Sequence, residues 1–283
     1  MRVLMISDFY PPIIGGMELH VRNLSAALAR RGHDVALVTL SHPGCPEFES
    51  SGGVRVYRVR GAAQAVGSLF ADPQRTFAPP FPDPKLALSL RHVVEREQPD
   101  VVHAHNWMVH SLLPVKSKGI PLVLTLHDYG LVCAKKSMVR EDGRCTQPGI
   151  RDCAVCSIGH YGPTKGLLTW LGLRLTDSRL RGCVDMFLPV SESVAVLSGL
   201  YSHAASFEVV PNFLPDDFEC IDPQADAYTA SLPTEDYLLY VGALSPHKGI
   251  DHLLAAYERL TDPPPLVLIG AGTPGALPAL PKG

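Results

Sequence analysis

The chain has 283 residues, 46% of them hydrophobic and 19% charged, with 24 glycines and 26 prolines that follow no fixed period. This composition can build a core and excludes collagen and a disordered tail. A formal net charge of −3 without a dense basic stripe sets nucleic acid aside as a partner, and the length suggests about two domains of roughly 100–200 residues each.

The first apolar run, Met1 to Ser7, is bounded by Asp8 and Pro11 and is too short for a signal segment, so Arg2 to Ser7 is expected as a strand. Met17 to Arg31 carries Val21, Leu24 and Leu28 on one helical face, with Glu18 in the first turn and Gly32 as the stop. Asp34 to Leu40 is the continuous apolar run of a strand buried on both faces, and Val54 to Val59 alternates as an edge or half-buried strand. Residues 61 to 84 read as a long functional loop that shapes an acceptor pocket. A helix at Lys85 to Gln98 stops at Pro99, and strands follow at Asp100 to Ala104, Leu122 to Leu126 and Met186 to Val190. Such βα repetition closes as an open parallel sheet with helices on both faces.

After Phe207 to Val210 a second α/β signature begins. Tyr237 to Val241 is a strand, Gly249 to Leu260 a helix and Leu266 to Ile269 a strand, which is one βαβ unit where a covered sheet needs about five or six strands. The expected division is a domain at 1–206 and the start of another at 207–283, with the Gly/Pro-rich stretch from Gly270 to Gly283 read as the point where a longer chain was cut. No run reaches the roughly 18 apolar residues of a spanning helix; the most apolar, Leu167 to Leu175, contains Arg174. A cytosolic protein is expected. Thr164 to Arg181 mixes leucines with Lys165, Arg174, Arg179 and Arg181, a pattern that suits burial between neighbouring elements or peripheral contact with an anionic membrane.

Several loops carry candidate chemistry. Gly15 and Gly16 stand at a strand-to-helix turn, where backbone amides and the helix dipole favour an anion, or where the pair serves only the turn. His127 and Asp128 end a buried strand at the edge where open α/β sheets bind ligands, and His103 and His105 flank a similar strand end. Lys248 and Gly249 lie between a strand and a helix, so that an ammonium and a helix N-terminus can converge on a diphosphate; the alternative is a solvated loop lysine. Of seven cysteines, Cys133, Cys145, Cys153 and Cys156 fall in a C-x11-C-x7-C-x2-C pattern. Structural Zn2+ is the first reading for these four, with a disulfide, an iron–sulfur cluster or free thiols as alternatives, and Cys45, Cys183 and Cys220 are ordinary thiols.

Six strings occur in order: "YPPIIGGMELHVRNLSAALARRGHDVALVT", "PDVVHAHNW", "LVLTLHDYGLVC", "PVSESV", "VVPNF" and "YVGALSPHKGIDHLLAAYERL". Together they resemble the family 4 retaining glycosyltransferases of the GT-B fold, over nearly the whole chain to about Gly272. The resemblance implies two Rossmann-like domains, a complete first one for the acceptor and a partial second one for a nucleotide-sugar donor, with transfer to a sugar, lipid-linked or small-molecule acceptor and no cofactor required. It implies His127 and Asp128 as catalytic, Gly15, Gly16, Ser191, Glu192, Asn212, Lys248 and Gly249 toward the donor, and Glu18, His103 and His105 toward the acceptor. Where the family usually has an arginine this chain has Ala243, and no pair of glutamates seven residues apart follows Gly270. Those departures keep a non-catalytic sugar- or nucleotide-binding fragment open, and the fold also leaves a nucleotide-sugar epimerase.

Overall fold

A computed structural model describes residues 1–65, 76–117, 119–140, 143–145, 149–203, 205–215, 232–245, 248–270 and 272. The Gly/Pro-rich end, Cys220 and the centre of the 61–84 loop therefore lie outside the described residues. The chain forms two compact units, Met1–Pro215 and Asp216–Gly283.

In the first unit β1 (Arg2–Ser7) lies at the middle of a seven-stranded sheet. Beside it are β2 (Asp34–Leu40), then β4 (Val54–Val59) and β3 (Phe48–Ser51) on one side, and β5 (Val101–His105), β6 (Leu122–Leu126) and β9 (Met186–Pro189) on the other. Only β3 is antiparallel. Its presence corrects the expectation that Val54 to Val59 could be an edge. Gly52 and Gly53, at φ 59° and 79°, make the two-residue turn that folds β3 back onto β4. Without β3, the parallel strands count 3-2-1-4-5-6 across the sheet, the doubly wound order.

The pleat divides the core in two. Val3 and Met5 of β1 pack with Val35, Leu37 and Val56 under Val21 of α1 (Gly16–Arg30), with Leu24 and Leu28 against the same cluster. Leu4 and Ile6 point the other way, into a cluster with Leu86, Leu90 and Val94 of α2 (Pro84–Glu97) and Leu112 of α3 (Val109–Leu112). A strand whose successive side chains are all buried has to be apolar throughout, which is why β1 and β2 show no alternation.

After β6 the chain makes a small hairpin, β7 (Val139–Arg140) with β8 (Gly143–Arg144), and two long helices, α4 (Ile150–Tyr161) and α5 (Pro163–Cys183). The helices cross closely at Gly166, where a Cβ would sit 2.4 Å from the carbonyl oxygen of Ser157. On α5, Thr169, Leu173 and Leu180 are buried, whereas Leu167, Leu168 and Leu175 stay exposed. Burial thus accounts for one face of this helix and leaves a leucine-bearing face outside. Among the described residues no helix is long and apolar enough to cross a membrane.

Beyond β9 and α6 (Glu192–Leu197) the chain runs back along the sheet edge. Phe187 N donates to Ser206 O, Glu208 N to Phe187 O and Val210 N to Pro189 O, so these residues belong to the first unit. The first unit accordingly ends at Pro215 and not at the expected 206. In the second unit β10 (Leu238–Val241) pairs in parallel with β11 (Leu266–Ile269), linked by α7 (Ile250–Tyr257). Ile250 and Leu254 are buried, while Leu238, Leu239, Val241 and Ile269 are exposed.

Asp83 ties the first unit's loops together. It caps α2, accepting from Lys85 N at 2.9 Å and Leu86 N at 3.3 Å, while its other oxygen accepts from Ala63 N at 3.1 Å. Asp83→Ala removes the cap and leaves Ala63 N–H without its acceptor, so the urea midpoint should fall by the equivalent of about 2–3 kcal/mol at unchanged m-value. Asp83→Asn should recover part of the loss.

Candidate active site

The sheet reverses its strand order between β1 and β5, and in open α/β sheets such a reversal opens a crevice beyond the strands' carboxyl ends. The loops that leave β1, β5 and β6 are hydrogen-bonded to one another at that edge. Asp8, directly after β1, is 1% exposed; one carboxylate oxygen accepts from Met108 N at 2.7 Å and the other from Ala78 N at 3.3 Å. Burial pushes its pKa up to about 6, against the opposing pull of Lys136 and those two amides.

A group of imidazoles lies beside it. His103 and His105, two residues apart on β5, share one face, and their rings stack at 4.5 Å. His103 Nε2 hydrogen-bonds with Thr125 Oγ1 at 2.7 Å, and His105 Nδ1 with His127 Nε2 at 3.0 Å. His20 of α1 meets His127 edge-on at 5.2 Å and Phe213 at 5.4 Å. Burial, reinforced by the neighbouring imidazoles, lowers His103 to about 4, His127 to about 3 and His105 well below the usual range, and burial alone lowers His20. All four rings are therefore neutral at neutral pH. Three of their nitrogens, His20 Nδ1, His105 Nε2 and His127 Nδ1, are buried without a hydrogen-bond partner.

The turn that opens α1 is tight. Gly15 is extended, and a Cβ there would lie 2.3 Å from Oε2 of Glu18, whose side chain is buried. The position expected to receive an anion thus already faces a carboxylate of the protein. Asp128 accepts from Gly130 N at 2.7 Å, and Trp107 Nε1 donates to Gly130 O at 2.9 Å. Gly130 has no room for a side chain, since a Cβ would stand 2.7 Å from Asp128 Oδ1 and 3.2 Å from Trp107 Nε1. Lys136 places its ammonium 4.0 Å from the centre of the Trp107 ring and donates to Asn106 Oδ1 at 3.3 Å. Asn106 and Lys136 both hold positive φ, 65° and 62°, a conformation costly outside glycine and concentrated at functional sites.

Of the expected residues, His103, His105 and His127 form one hydrogen-bonded and stacked group, with Asp128 next to it. Glu18, Gly15 and Gly16 share the start of α1. Ser191 and Glu192 are taken up locally: Ser191 Oγ caps α6 by accepting from Val194 N at 3.3 Å, and Glu192 accepts from Tyr201 Oη at 2.5 Å. Asn212 is exposed, next to Phe213. Lys248 and Gly249 belong to the second unit, where Lys248 is exposed and Gly249, at φ 75°, opens α7 without a side-chain cap. The carbonyl of Ala243 accepts from Tyr240 Oη and Ser245 N, both at 2.9 Å. Asp8, His20, Asn106, Trp107 and Lys136 were not singled out by sequence. His20 alone carried a signal, since with Met17, Val21, Leu24 and Leu28 it completes the buried stripe of α1.

Cys133, Cys145, Cys153 and Cys156 line one cavity of about 240 Å³, and all four are free thiols. Burial, and then the nearby Cys145, Cys133 and Cys156, push the Cys153 thiol up. Among the described residues no group of three or more Cys, His, Asp or Glu is placed to hold a metal ion, so the expected tetrahedral knuckle is not closed. The reason lies in the chain path: Cys153 and Cys156 share α4, whereas Cys133 stands in a turn and Cys145 follows a hairpin.

Comparison with known proteins places these observations in a family. The family model described as Glycosyltransferase Family 4 matches residues 14–218. An uncharacterized glycosyltransferase of Methanocaldococcus jannaschii is 25% identical over 96% of this chain and 63% of its own length. A glycogen synthase of Mycobacterium tuberculosis is 30% identical over 96% of this chain and 62% of its own. The chain therefore spans somewhat under two thirds of either relative. In fold, a solved structure of trehalose-6-phosphate from E. coli bound with UDP-2-fluoro glucose superposes with a TM-score of 0.54 at 13% identity, covering 99% of this chain and 66% of that one. The fold is of the GT-B type.

The imidazoles make stability depend on pH. His103, His105, His110 and His127 titrate far below 6.5 in the folded chain, so as pH falls below 6.5 only the unfolded chain takes up their protons. Each costs about 1.4 kcal/mol per pH unit until its folded pKa is reached. Asp8 acts in the opposite sense between 3.8 and about 6, one carboxyl against four imidazoles. The urea midpoint should drop steeply from roughly pH 7 to pH 5, and a flat profile would show that the rings are not held neutral.

Proposed function

The chain belongs to glycosyltransferase family 4, and from that premise we propose that it moves a sugar from a nucleotide-sugar donor to an acceptor hydroxyl with retention of anomeric configuration, in glycan, glycolipid or polysaccharide synthesis. The observation that carries the reading is the neutral His127 at the switch-point crevice, with Nδ1 unpartnered and Asp128 beside it. A neutral imidazole with a free nitrogen suits a sugar hydroxyl better than it suits a phosphate.

Chemistry of this kind needs no protein nucleophile. The nucleoside diphosphate leaves, the acceptor oxygen attacks the anomeric carbon on the same face and passes its proton to the departing phosphate oxygen, and the protein contributes position and charge stabilisation. His127 and Asp128 hold the sugar at the reacting centre. Lys248 and the uncapped start of α7 at Gly249 meet the leaving diphosphate, with Ser191, Glu192, Asn212, Gly15 and Gly16 as further donor-side groups. Because Ser191 and Glu192 already have partners, they would serve through the backbone of the α6 start or by exchanging those bonds. Glu18, His103 and His105 shape the acceptor side. The exposed Leu168 and Leu175 on α5, with Arg174 between them, support peripheral membrane contact if the acceptor is lipid-linked. Six free cysteines among the described residues support a reducing, cytosolic setting. The cysteine insert stays outside the chemistry: a structural Zn2+ there would order the loop beside the cleft, and no cofactor enters the transfer.

A second reading, binding without transfer, is favoured by Ala243, whose methyl side chain brings no positive charge to a diphosphate where the family resemblance implies an arginine. Incubation with UDP-, ADP- and GDP-sugars and simple sugar or lipid acceptors separates the two. Turnover with retained configuration, read by NMR of the product, supports the first; inverted product overturns retention, and nucleotide binding without turnover supports the second.

Two substitutions test the assignments. Lys248→Ala should weaken UDP, ADP or GDP binding by about tenfold, as expected for loss of one charge-assisted hydrogen bond. His127→Ala should lower kcat on the order of 100-fold with little change in nucleotide affinity. Unchanged values would remove the respective residue from the site.

A further inference from the structure

We infer that the cavity between the β7–β8 hairpin and helices α4 and α5 binds a small carboxylate with an apolar body, its head group on Trp170 and Arg181 of α5. Both residues line the cavity, and each carries a buried N–H with no acceptor, Nε1 of Trp170 and Nη1 of Arg181. The Arg181 side chain is only 9% exposed, and its other nitrogens are spent: Nε donates to Asp177 Oδ1 at 2.8 Å and Nη2 to Ser198 O at 3.0 Å. Those two bonds fix the guanidinium before any ligand arrives. Indole and guanidinium nitrogens donate and never accept, so what completes them is an acceptor.

The rest of the lining sets the body of the ligand. Leu131, Met138 and Leu173 are buried and apolar. Met138 holds φ 51°, a conformation costly outside glycine and concentrated at functional sites such as ligand clamps. Burial pushes the Cys153 thiol up, so at neutral pH it stays protonated and packs as a small apolar group. The volume of about 240 Å³ equals about eight waters at roughly 30 Å³ each, but an apolar lining gives water too few partners to hold it. An acyl chain or aromatic ring of the size found in hexanoate or benzoate covers that surface instead.

Charge selects the head group. Lys135, Arg140 and Arg174 stand against Asp152 and Asp177, and Asp177 is already paired with Arg181. Arg140 and Arg174 are exposed at the rim, where they attract an anion. A carboxylate brings two acceptor oxygens and a single charge, which matches one N–H from each of two residues; a phosphate dianion brings more charge and more acceptors than these donors meet. Leu131 also lines a smaller recess with Trp107, His127 and Asp128, so the cavity shares a wall with the loop after β6. The ligand is a molecule apart from donor and acceptor, and its binding does not depend on the sugar transfer proposed above.

The test titrates the whole chain at neutral pH with hexanoate and benzoate by calorimetry, with acetate, hexanol and benzyl alcohol as controls. Both carboxylates should saturate one site, and the alcohols, which lack the charge, and acetate, which lacks the body, should bind at least about tenfold more weakly. Trp170→Phe keeps an aromatic ring and removes the N–H, and should lower affinity by about tenfold. Leu173→Phe fills the cavity while leaving both donors, and should abolish binding at an unchanged thermal midpoint. The chain has two tryptophans, so proton NMR resolves two indole N–H signals; the one missing from Trp170→Phe should move downfield on adding benzoate, while that of Trp107, already bonded to Gly130 O, stays. Absence of saturable binding, equal binding of the alcohols, or unchanged affinity in both variants overturns the inference. So does a chain that purifies with zinc or iron on the thiols, because the metal then takes the space.

Discussion

The carboxylate of Asp8 is the constraint on which the ligand-facing edge of the first unit depends. It sits at the end of the central strand, out of water, and binds amides from two segments distant in sequence, Ala78 and Met108. A buried carboxylate without such donors would cost several kcal/mol, so the loops are held as firmly by its need for partners as by their own packing. Lys136 lends it a further positive field from the loop after β6. One acid thus fixes where the loops of β1 and β5 and the segment before α2 can lie.

Around this anchor the sheet does the coarse positioning. Parallel strands carry every loop of one kind to the same edge, and the reversal between β1 and β5 splays the loops there apart. Fine positioning comes from close approaches at glycines: Glu18 folds back on Gly15, and Trp107 and Asp128 converge on Gly130. The long insert after β6 is braced from within, since Tyr161 Oη of α4 donates to Ala134 O and Tyr129 N to Lys136 O.

Much of this was legible in the sequence, for a physical reason. Continuous apolar runs such as Asp34 to Leu40, and the spacing of Val21, Leu24 and Leu28, record which faces are buried, so strands and helices of the doubly wound unit fall within a residue or two of their expected ends. The strand β3 was missed because Phe48 to Ser51 is largely exposed and has no apolar alternation; only Gly52-Gly53 announced it. The boundary at Pro215 was missed because it depends on hydrogen bonds to Phe187 and Pro189 that leave no local pattern. At the site, the strand-end histidines could be found by position, whereas Asp8, Asn106 and Lys136 act through tertiary contacts with residues many positions away. The four cysteines were found by spacing, but their open arrangement around a cavity could not be.

The hydrogen bond between His105 Nδ1 and His127 Nε2 leaves the two rings only matched tautomers, both protonated on Nδ1 or both on Nε2. If His105 donates, its Nε2 is bare and His127 must carry its proton on Nδ1; if His127 donates, both assignments reverse. A ligand that demands a donor at His127 Nδ1 therefore chooses the protonation pattern of a ring on the neighbouring strand. The pair behaves as a single two-position register in which a hydroxyl bound at β6 is reported at β5 without any change in net charge.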